Sequence, residues 1–172
     1  MKRIIVALFM VMCVGSMASA ADLKIGFVDL QKALMTSAAG QSAKAKMDAE
    51  LQTIQAEILK KQTDLTALQE SLKKQVALLS VEARQQKESE FQQQVRDYQR
   101  FTKDQQDAMA AKEGAFTKQI LRDLGAQVVA MSKSEGITVM LEKGQLVYAA
   151  DGIDYTDALI KAYDASYTDS HQ

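Results

Sequence analysis

The side chains that carry most enzyme chemistry are scarce in this sequence. The one cysteine, Cys13, lies in an N-terminal apolar run, the one histidine, His171, is next to the C-terminal residue, and tryptophan is absent. No glycine-rich loop follows a candidate strand, and no residues have the spacing of metal ligands. Asp29, directly after a short apolar stretch, is the one acid at a candidate strand end, and we expect it to cap the next helical turn.

We therefore expect no catalytic residues, no cofactor and no metal. A weaker alternative is an enzyme built on Asp29 and other acids near the chain ends. That alternative would need a pocket that perturbs the pKa values of these carboxylates, and the sequence gives no reason to expect one.

Residues 1–20 have the parts of a secretory signal peptide. Lys2 and Arg3 supply the positive start, residues 4–14 form an apolar run that is short for a bilayer span, and residues 18–20 form a small-residue cleavage site. An uncleaved anchor helix is the alternative. Cleavage would export the chain and leave it without cysteine, which excludes disulfides and thiol chemistry.

Between residues 42 and 135, apolar side chains recur with the spacing of a coiled coil. In the 4-3 register that joins Met47 to Leu79, eight of ten positions are apolar, and Lys61 and Gln75 are the exceptions. The pattern predicts a first helix over about residues 41–79. At 1.5 Å per residue this helix would be about 60 Å long, so it must project beyond a small domain.

The register weakens at Ser80, which predicts the tip of a helical hairpin near residues 77–84. Ser80 can cap a returning helix over about residues 81–134. Gly114 and Gly125 are expected to interrupt this second helix, since each glycine costs about 1 kcal/mol relative to alanine. Residues 42–135 thus form an arm of two antiparallel helices.

The arm also carries candidates for contact with a bound partner. Residues 73–103 hold seven basic and four acidic residues (+3), whereas residues 136–172 hold two basic and six acidic ones (−4). This asymmetry would draw an acidic partner to the tip, although a solvated helix face with i,i+4 ion pairs is the plainer interpretation. The basic candidates are Lys73, Lys74, Arg84, Lys87, Arg96 and Arg100. The apolar candidates are Phe91, Phe101, Met109 and Phe116, which otherwise complete the contact between the helices.

Residues 21–41 and 136–172 should form a small body at the base of the arm. Residues 24–29 read as a strand, residues 137–148 as a β-hairpin, and Thr156 as the cap of a last amphipathic helix. About sixty residues make a marginal core, so we expect a homo-oligomer. The predicted fold class is α+β: a long antiparallel coiled-coil hairpin that projects from a small β-rich oligomerisation body formed by both chain ends. We expect no nucleic-acid binding, because removal of Lys2 and Arg3 leaves 19 basic against 22 acidic residues, a net charge of −3, and because the signal peptide would export the chain.

Three stretches, at residues 24–34, 79–91 and 135–161, resemble the Skp (OmpH-like) family of periplasmic chaperones. The resemblance implies a homotrimer in which a β body joins three subunits and three helical arms enclose a cavity. It further implies an ATP-independent holdase of the periplasm that binds unfolded outer-membrane proteins, with peripheral contact to membrane lipid or lipopolysaccharide as a further expectation. The ten basic and apolar arm residues named above would then be client-contact candidates. This chain is less basic than many members, with a pI near 5.9.

Two hypotheses from different classes remain open. The first is the holdase, for which many weak apolar and charged contacts would suffice. The second is a structural coiled-coil spacer or adaptor of the cell envelope. A spacer is expected to have a regular apolar register on both helices, whereas the second helix here places Thr102, Gln105 and Lys112 at positions that should face its partner.

Overall fold

Two long helices dominate a computed structural model that describes residues 23–75 and 78–169. The predicted signal peptide, including Cys13, and His171 lie outside the described residues. None of the helices in the described part is both long and apolar enough to cross a membrane. In chain order the elements are β1 (Ile25–Val28), α1 (Leu30–Thr36), α2 (Ala38–Gln75), α3 (Val81–Ser134), β2 (Val139–Glu142) and α4 (Thr156–Asp169).

The long helices α2 and α3 pack along one another in opposite directions. Lys112 forms an ion pair with Glu50, and the Lys61 ammonium lies 4.8 Å from the centre of the Phe101 ring. Residue numbers that increase along α2 are therefore matched by residue numbers that decrease along α3, so the two helices are antiparallel. The α2 side chains of the predicted register that are at least partly buried are Met47, Ile54, Ile58, Leu65, Leu68 and Leu72. Their α3 counterparts are Phe91, Val95, Tyr98, Thr102, Gln105 and Met109.

The turn between the long helices is capped as the sequence predicts. The Ala83 backbone N–H donates to the Ser80 hydroxyl (3.2 Å), and Glu82 lies in the first turn of α3. An N-terminal hydroxyl acceptor satisfies one of the backbone donors that a helix leaves unpaired. At the other end, Gly136 has a φ of +64°, the left-handed conformation that favours glycine after a helix.

The predicted interruptions at Gly114 and Gly125 are wrong, because α3 is one continuous helix of 54 residues. Near Gly114, however, the buried face of α3 shifts by one position. A strict 4-3 register from Phe91 leads to residues 119, 123 and 130, whereas Ile120, Leu124 and Met131 are the buried side chains. Met109 and Ile120 are eleven residues apart, a spacing that locally unwinds a left-handed supercoil. The irregular apolar register of α3 therefore corresponds to a shift of its buried face and not to a break in the helix.

The base of the molecule is less β-rich than predicted. β2 pairs in parallel with β1, with Ile25 opposite Val139, and no other strand occurs in the described residues. The predicted hairpin is wrong: Lys143–Gln145 is a single 3₁₀ turn, and residues 146–148 form no strand. A parallel pair needs a long crossover, which the whole arm supplies here. The second edge of β2 therefore has no strand partner in the described residues.

Two caps join the sheet to α4. The Lys32 backbone N–H donates to the Asp29 carboxylate (2.7 Å), as predicted for a residue that caps α1. The prediction that Thr156 caps α4 is wrong, because α4 begins at Thr156 itself and its first backbone bond runs from the Leu159 N–H to the Tyr155 carbonyl (2.9 Å). The Thr156 N–H donates to the Asp154 carboxylate (2.8 Å). The Thr156 hydroxyl is buried and accepts the Asp29 backbone N–H (2.9 Å). Thr156 therefore connects the end of β1 to the start of α4.

The first long helix begins earlier than predicted, at Ala38 rather than near residue 41. The chain bends sharply between α1 and α2 at Ser37, which is fully buried. Two contacts fix this bend: the Gly40 backbone N–H donates to the Ser37 hydroxyl (3.3 Å), and the Ala38 N–H donates to the Asp164 carboxylate of α4 (2.8 Å). Gly40 approaches α1 so closely that an added Cβ would lie 1.8 Å from the Leu34 carbonyl oxygen. Glycine is therefore required where α2 starts.

The main core lies where the arm meets the base. It combines residues from β1, the short helices and the lower parts of α2 and α3. Its buried members are Val28, Ala33, Ala39, Ile120, Leu124, Met131, Leu159 and Tyr163. Burial of Leu159 and Tyr163 confirms the predicted apolar face of α4.

Candidate functional site

Three helices form an open, largely apolar cleft at the root of the arm. It has a volume of about 640 Å³, within the range of pockets that hold organic ligands. We call it the methionine groove, and its apolar lining comes from Leu34, Met35, Met47, Leu51, Met109 and Phe116. α1 supplies the first two of these, α2 the next two and α3 the last two.

The methionine groove keeps apolar side chains accessible to solvent. Met35 is 65% exposed, Leu51 is 42% exposed and Phe116 is 37% exposed. Lys44 and Asp48 form an ion pair across one turn of α2 at the edge of the groove (2.7 Å). Methionine has a flexible and polarizable side chain that adapts to partners of different shape. The groove can therefore accept varied apolar side chains while charged groups surround it.

A second cleft, the tyrosine groove, lies beside the first and shares Phe116 with it. Its volume is about 670 Å³, and it is bordered by Lys46, Asp123, Tyr163 and Tyr167. The rings of the two tyrosines are tilted, with their centres 6.5 Å apart. Burial raises the pKa of the Tyr163 hydroxyl, and the nearby Asp123 charge raises it further. This groove thus presents neutral aromatic rings next to one basic and one acidic side chain.

The structure brings two of the four apolar candidates together. Met109 and Phe116 meet in the methionine groove. Phe91 is half-buried on the face of α3 that packs on α2, and Phe101 lies beneath the Lys61 ammonium. The latter pair therefore contributes to contact between the helices.

Lys73 and Lys74 lie far from the methionine groove, whereas Arg100 is nine positions from Met109 on α3, about 14 Å along the helix. Leu51 of the groove and Lys73 are 22 positions apart on α2, which corresponds to about 33 Å along a helix. Lys73, Lys74, Arg96 and Arg100 are exposed, and Arg84 is half-buried. Lys87 forms an ion pair with Glu90 (3.0 Å), and its hydrogen bond lowers the pKa of the Glu90 carboxyl. Met109 and Phe116 therefore lie in the groove, whereas Phe91 and Phe101 share their part of α3 with basic candidates such as Arg96 and Arg100.

Sequence reasoning missed the α1 and α2 sides of the methionine groove. The coiled-coil register predicts that Met47 and Leu51 face the second long helix, and no sequence pattern indicates a role for Leu34 and Met35. The bend at Ser37 brings α1 beside α2, and no periodicity in the sequence specifies that angle. The signal available in the sequence was the presence of Met47 and Met109 at positions that come near each other when the two long helices pair.

Among the described residues, Asp29 is the acid that the alternative enzyme hypothesis would use, and its surroundings do not suit acid–base catalysis. The hydrogen bond from the Lys32 backbone lowers the pKa of the Asp29 carboxyl, and the Lys143 ammonium at 3.2 Å acts in the same direction. Asp29 is therefore an ionised helix cap. Within residues 23–75 and 78–169, no cluster of three or more histidine, cysteine or acidic residues could hold a metal ion.

The fold is shared with a solved bacterial protein. A crystal structure of an OmpH-like protein from Caulobacter crescentus, described as an outer membrane chaperone, superposes with a TM-score of 0.79. It is 20% identical, and the match covers 83% of this chain and 84% of the other. This likeness agrees with a mostly helical chain that has long helices and a small strand pair, which confirms the predicted fold class only in that outline.

Sequence comparison gives the family directly. No curated protein matches the chain significantly. The family model described as outer membrane protein (OmpH-like) matches residues 24–163, which span β1, both long helices, β2 and most of α4. The match therefore extends over the base and the arm alike, and this chain belongs to the OmpH-like family.

Proposed function

We propose that this protein is an ATP-independent holdase chaperone of the periplasm that binds unfolded outer-membrane proteins and prevents their aggregation. The observation that carries the proposal is the methionine groove, an accessible apolar cleft at the root of an otherwise polar arm. Membership of the OmpH-like family and the fold shared with a protein described as an outer membrane chaperone support it.

The groove suits a client that has no fixed structure. Unfolded β-barrel proteins present apolar side chains at alternate positions along an extended chain. A cleft walled by Met47, Met109 and Phe116 can take up such side chains one after another, and no single contact needs to be strong. Charged side chains surround the cleft and extend along the arm, so they keep the complex soluble. Such a holdase releases its client without nucleotide hydrolysis.

The base offers surface for a homo-oligomer, which we propose to be a trimer. Val147 and Tyr148 are fully or largely exposed, at 106% and 86%. They follow β2, whose second edge has no strand partner in the described residues. A neighbouring copy that pairs with this edge would cover both features. Three arms on one base would then enclose a cavity into which the methionine grooves can open.

An envelope spacer is the second candidate, and the uninterrupted α3 of 54 residues favours it. Two features speak against it. The contact face of α3 includes Thr102 and Gln105, and the register shifts before Ile120. A spacer also has no use for an open apolar cleft, since exposed apolar surface promotes aggregation unless something binds it.

The basic tip half of the arm supports a further contact. Lys73 and Lys74 lie in the last turn of α2 and are exposed. We propose that they and the other basic candidates make weak, salt-sensitive contacts with acidic client segments or with anionic lipid such as lipopolysaccharide. This contact would be peripheral to the apolar one in the groove.

Binding of a dye-labelled, urea-unfolded outer-membrane β-barrel protein tests the groove. We expect the double substitution Met109→Glu and Phe116→Glu to raise the Kd at least tenfold, because each buried apolar contact is worth about 1.5–3 kcal/mol and 1.4 kcal/mol corresponds to a factor of ten. Leu59→Glu is the matched control. Leu59 is an apolar residue of α2 that is 64% exposed and lies outside the groove.

The control variant should change the Kd less than twofold, within the usual range for surface substitutions. Far-UV circular dichroism before each titration verifies that the helices are retained. Equal Kd values for wild type and the folded double variant would show that clients bind elsewhere.

A further inference from the structure

Most methionines outside the predicted signal peptide lie at one site. The chain has nine methionines, of which four (residues 1, 10, 12 and 17) precede Ala21, and five remain. Met35, Met47 and Met109 come from three different helices and meet in the methionine groove. The other two, Met131 and Met140, belong to the core or pack against it. Three of five thioethers are therefore concentrated at the proposed client site.

Solvent reaches the groove thioethers more easily than that of Met131 in the core, whereas Met140 is half-buried. Met35 is 65% exposed, and Met47 and Met109 are half-buried along the cleft wall. Met131 is only 8% exposed. The chain from Ala21 onward contains no cysteine, so its thioethers are the side chains most readily oxidised by peroxide. An oxidant should therefore react first at the groove.

We propose that the methionine groove is a site of reversible oxidation, at which conversion of Met35, Met47 and Met109 to sulfoxides weakens client binding. The oxidant is a hydroperoxide such as hydrogen peroxide. The thioether sulfur attacks one peroxide oxygen, the O–O bond breaks, an S–O bond forms, and the departing hydroxide takes up a proton to give water. The sulfur loses two electrons and the peroxide gains two. This inference rests on the proposed holdase function.

The expected consequence follows from the polarity of the product. A sulfoxide oxygen accepts hydrogen bonds from water, and an apolar client side chain that covers it leaves this acceptor unpaired. All three groove methionines would face the same client segment, so their effects should combine. The fold should persist, because the core residues around Leu124 and Leu159 contain no reactive group and Met131 is shielded.

Limited oxidation of the chain from Ala21 onward tests the inference. The protein is treated with hydrogen peroxide, oxidised positions are mapped by peptide mass spectrometry, and the Kd for the labelled, unfolded β-barrel protein is measured before and after. We expect each groove methionine to gain one oxygen before Met131 does, and the Kd to rise about tenfold. Treatment with methionine sulfoxide reductases and a thiol reductant should restore the Kd.

Two variants, each compared with itself before and after peroxide, identify the responsible residues. Met35→Leu/Met47→Leu/Met109→Leu has no oxidisable groove, so its Kd should not change on oxidation. Met131→Leu retains the groove and should respond as wild type does. Circular dichroism after oxidation separates loss of binding from loss of fold.

Three outcomes would overturn the inference, and they are distinguishable. If Met131 is oxidised as fast as the groove methionines, the groove is not a preferred site. A groove that is oxidised while the Kd stays constant excludes the switch and leaves the holdase intact. A wild-type chain that binds no client even before oxidation refutes the holdase itself.

Discussion

Thr156 illustrates how one buried hydroxyl joins both ends of the chain. It is 1% exposed and accepts the Asp29 backbone N–H, 127 residues away in sequence. Thr156→Val keeps the shape and leaves this donor unpaired, so we expect the free energy of unfolding in urea to fall by about 1–3 kcal/mol. Thr63→Val, on an exposed face of α2, should change it by less than about 0.5 kcal/mol. Equal effects of the two substitutions would contradict this role.

Asp29 makes the stability of the base depend on pH. Its folded-state pKa lies below the ordinary value of 3.8, mainly because the Lys32 N–H donates to the carboxylate. A group with a lowered pKa stabilises the fold fully above its ordinary pKa, and this contribution is lost as the pH falls through the folded-state value. Asp29→Asn, which can still cap α1, should therefore lose less stability than wild type between about pH 5 and pH 2.

Urea denaturation at several pH values in this window measures that difference. Thr63→Val changes no titratable group and should follow the wild-type curve. If Asp29→Asn and wild type lost stability in parallel on acidification, Asp29 would have no part in the acid response.

Some helix caps could be predicted because the capping residue acts on backbone groups close to it in sequence. Ser80, Asp29 and Gly136 each act on backbone groups within a few positions, so their roles follow from local sequence. Thr156 was misassigned because its hydroxyl accepts the Asp29 backbone N–H, a donor 127 residues away in sequence, rather than an N–H in the first turn of α4. Local pattern alone does not reveal so distant a donor.

Among the elements, the junction of α1 and α2 determines where the arm leaves the base and forms one wall of the methionine groove. Gly40→Ala would place a Cβ 1.8 Å from the Leu34 carbonyl oxygen and force the two helices apart. We expect this substitution to cost at least about 3 kcal/mol of unfolding free energy. Gly114→Ala is the matched control within α3, since an added Cβ there meets nothing within 4 Å.

The control should stabilise the protein by up to about 1 kcal/mol, the difference in helix propensity between alanine and glycine. Thermal or urea unfolding of both variants measures the contrast. A neutral Gly40→Ala substitution would mean that the α1–α2 bend adjusts freely and does not fix the groove.

The helical register was predictable over much of the arm, whereas the topology of the base was not. Periodicity locates Ile54 and Leu68 on the contact face because helix geometry repeats every few residues. The pairing of β1 with β2 links residues more than 110 positions apart, and a run of β-forming residues does not state its partner. The apolar residues 146–148 therefore suggested a local hairpin that does not form.

At the scale of the whole molecule, the structure places an open apolar cleft at the root of the arm and exposed basic side chains such as Lys73 and Lys74 near its tip. Exposed Val147 and Tyr148 at the base indicate a surface that a second copy would cover. The proposed trimer and the proposed holdase are linked, because three arms are needed to surround an unfolded chain that one groove could only touch. A monomer would leave most of the bound client exposed, so that it could aggregate with other unfolded chains.

The most direct test is the aggregation of an outer-membrane β-barrel protein diluted from urea, followed by light scattering without ATP. We expect the chain from Ala21 onward to suppress scattering, with full effect at about three chains per client, as a trimer that holds one client requires. A folded, non-chaperone helical protein at equal mass concentration serves as the control. Unchanged scattering, while the chain remains helical and oligomeric, would contradict the holdase and favour the envelope spacer.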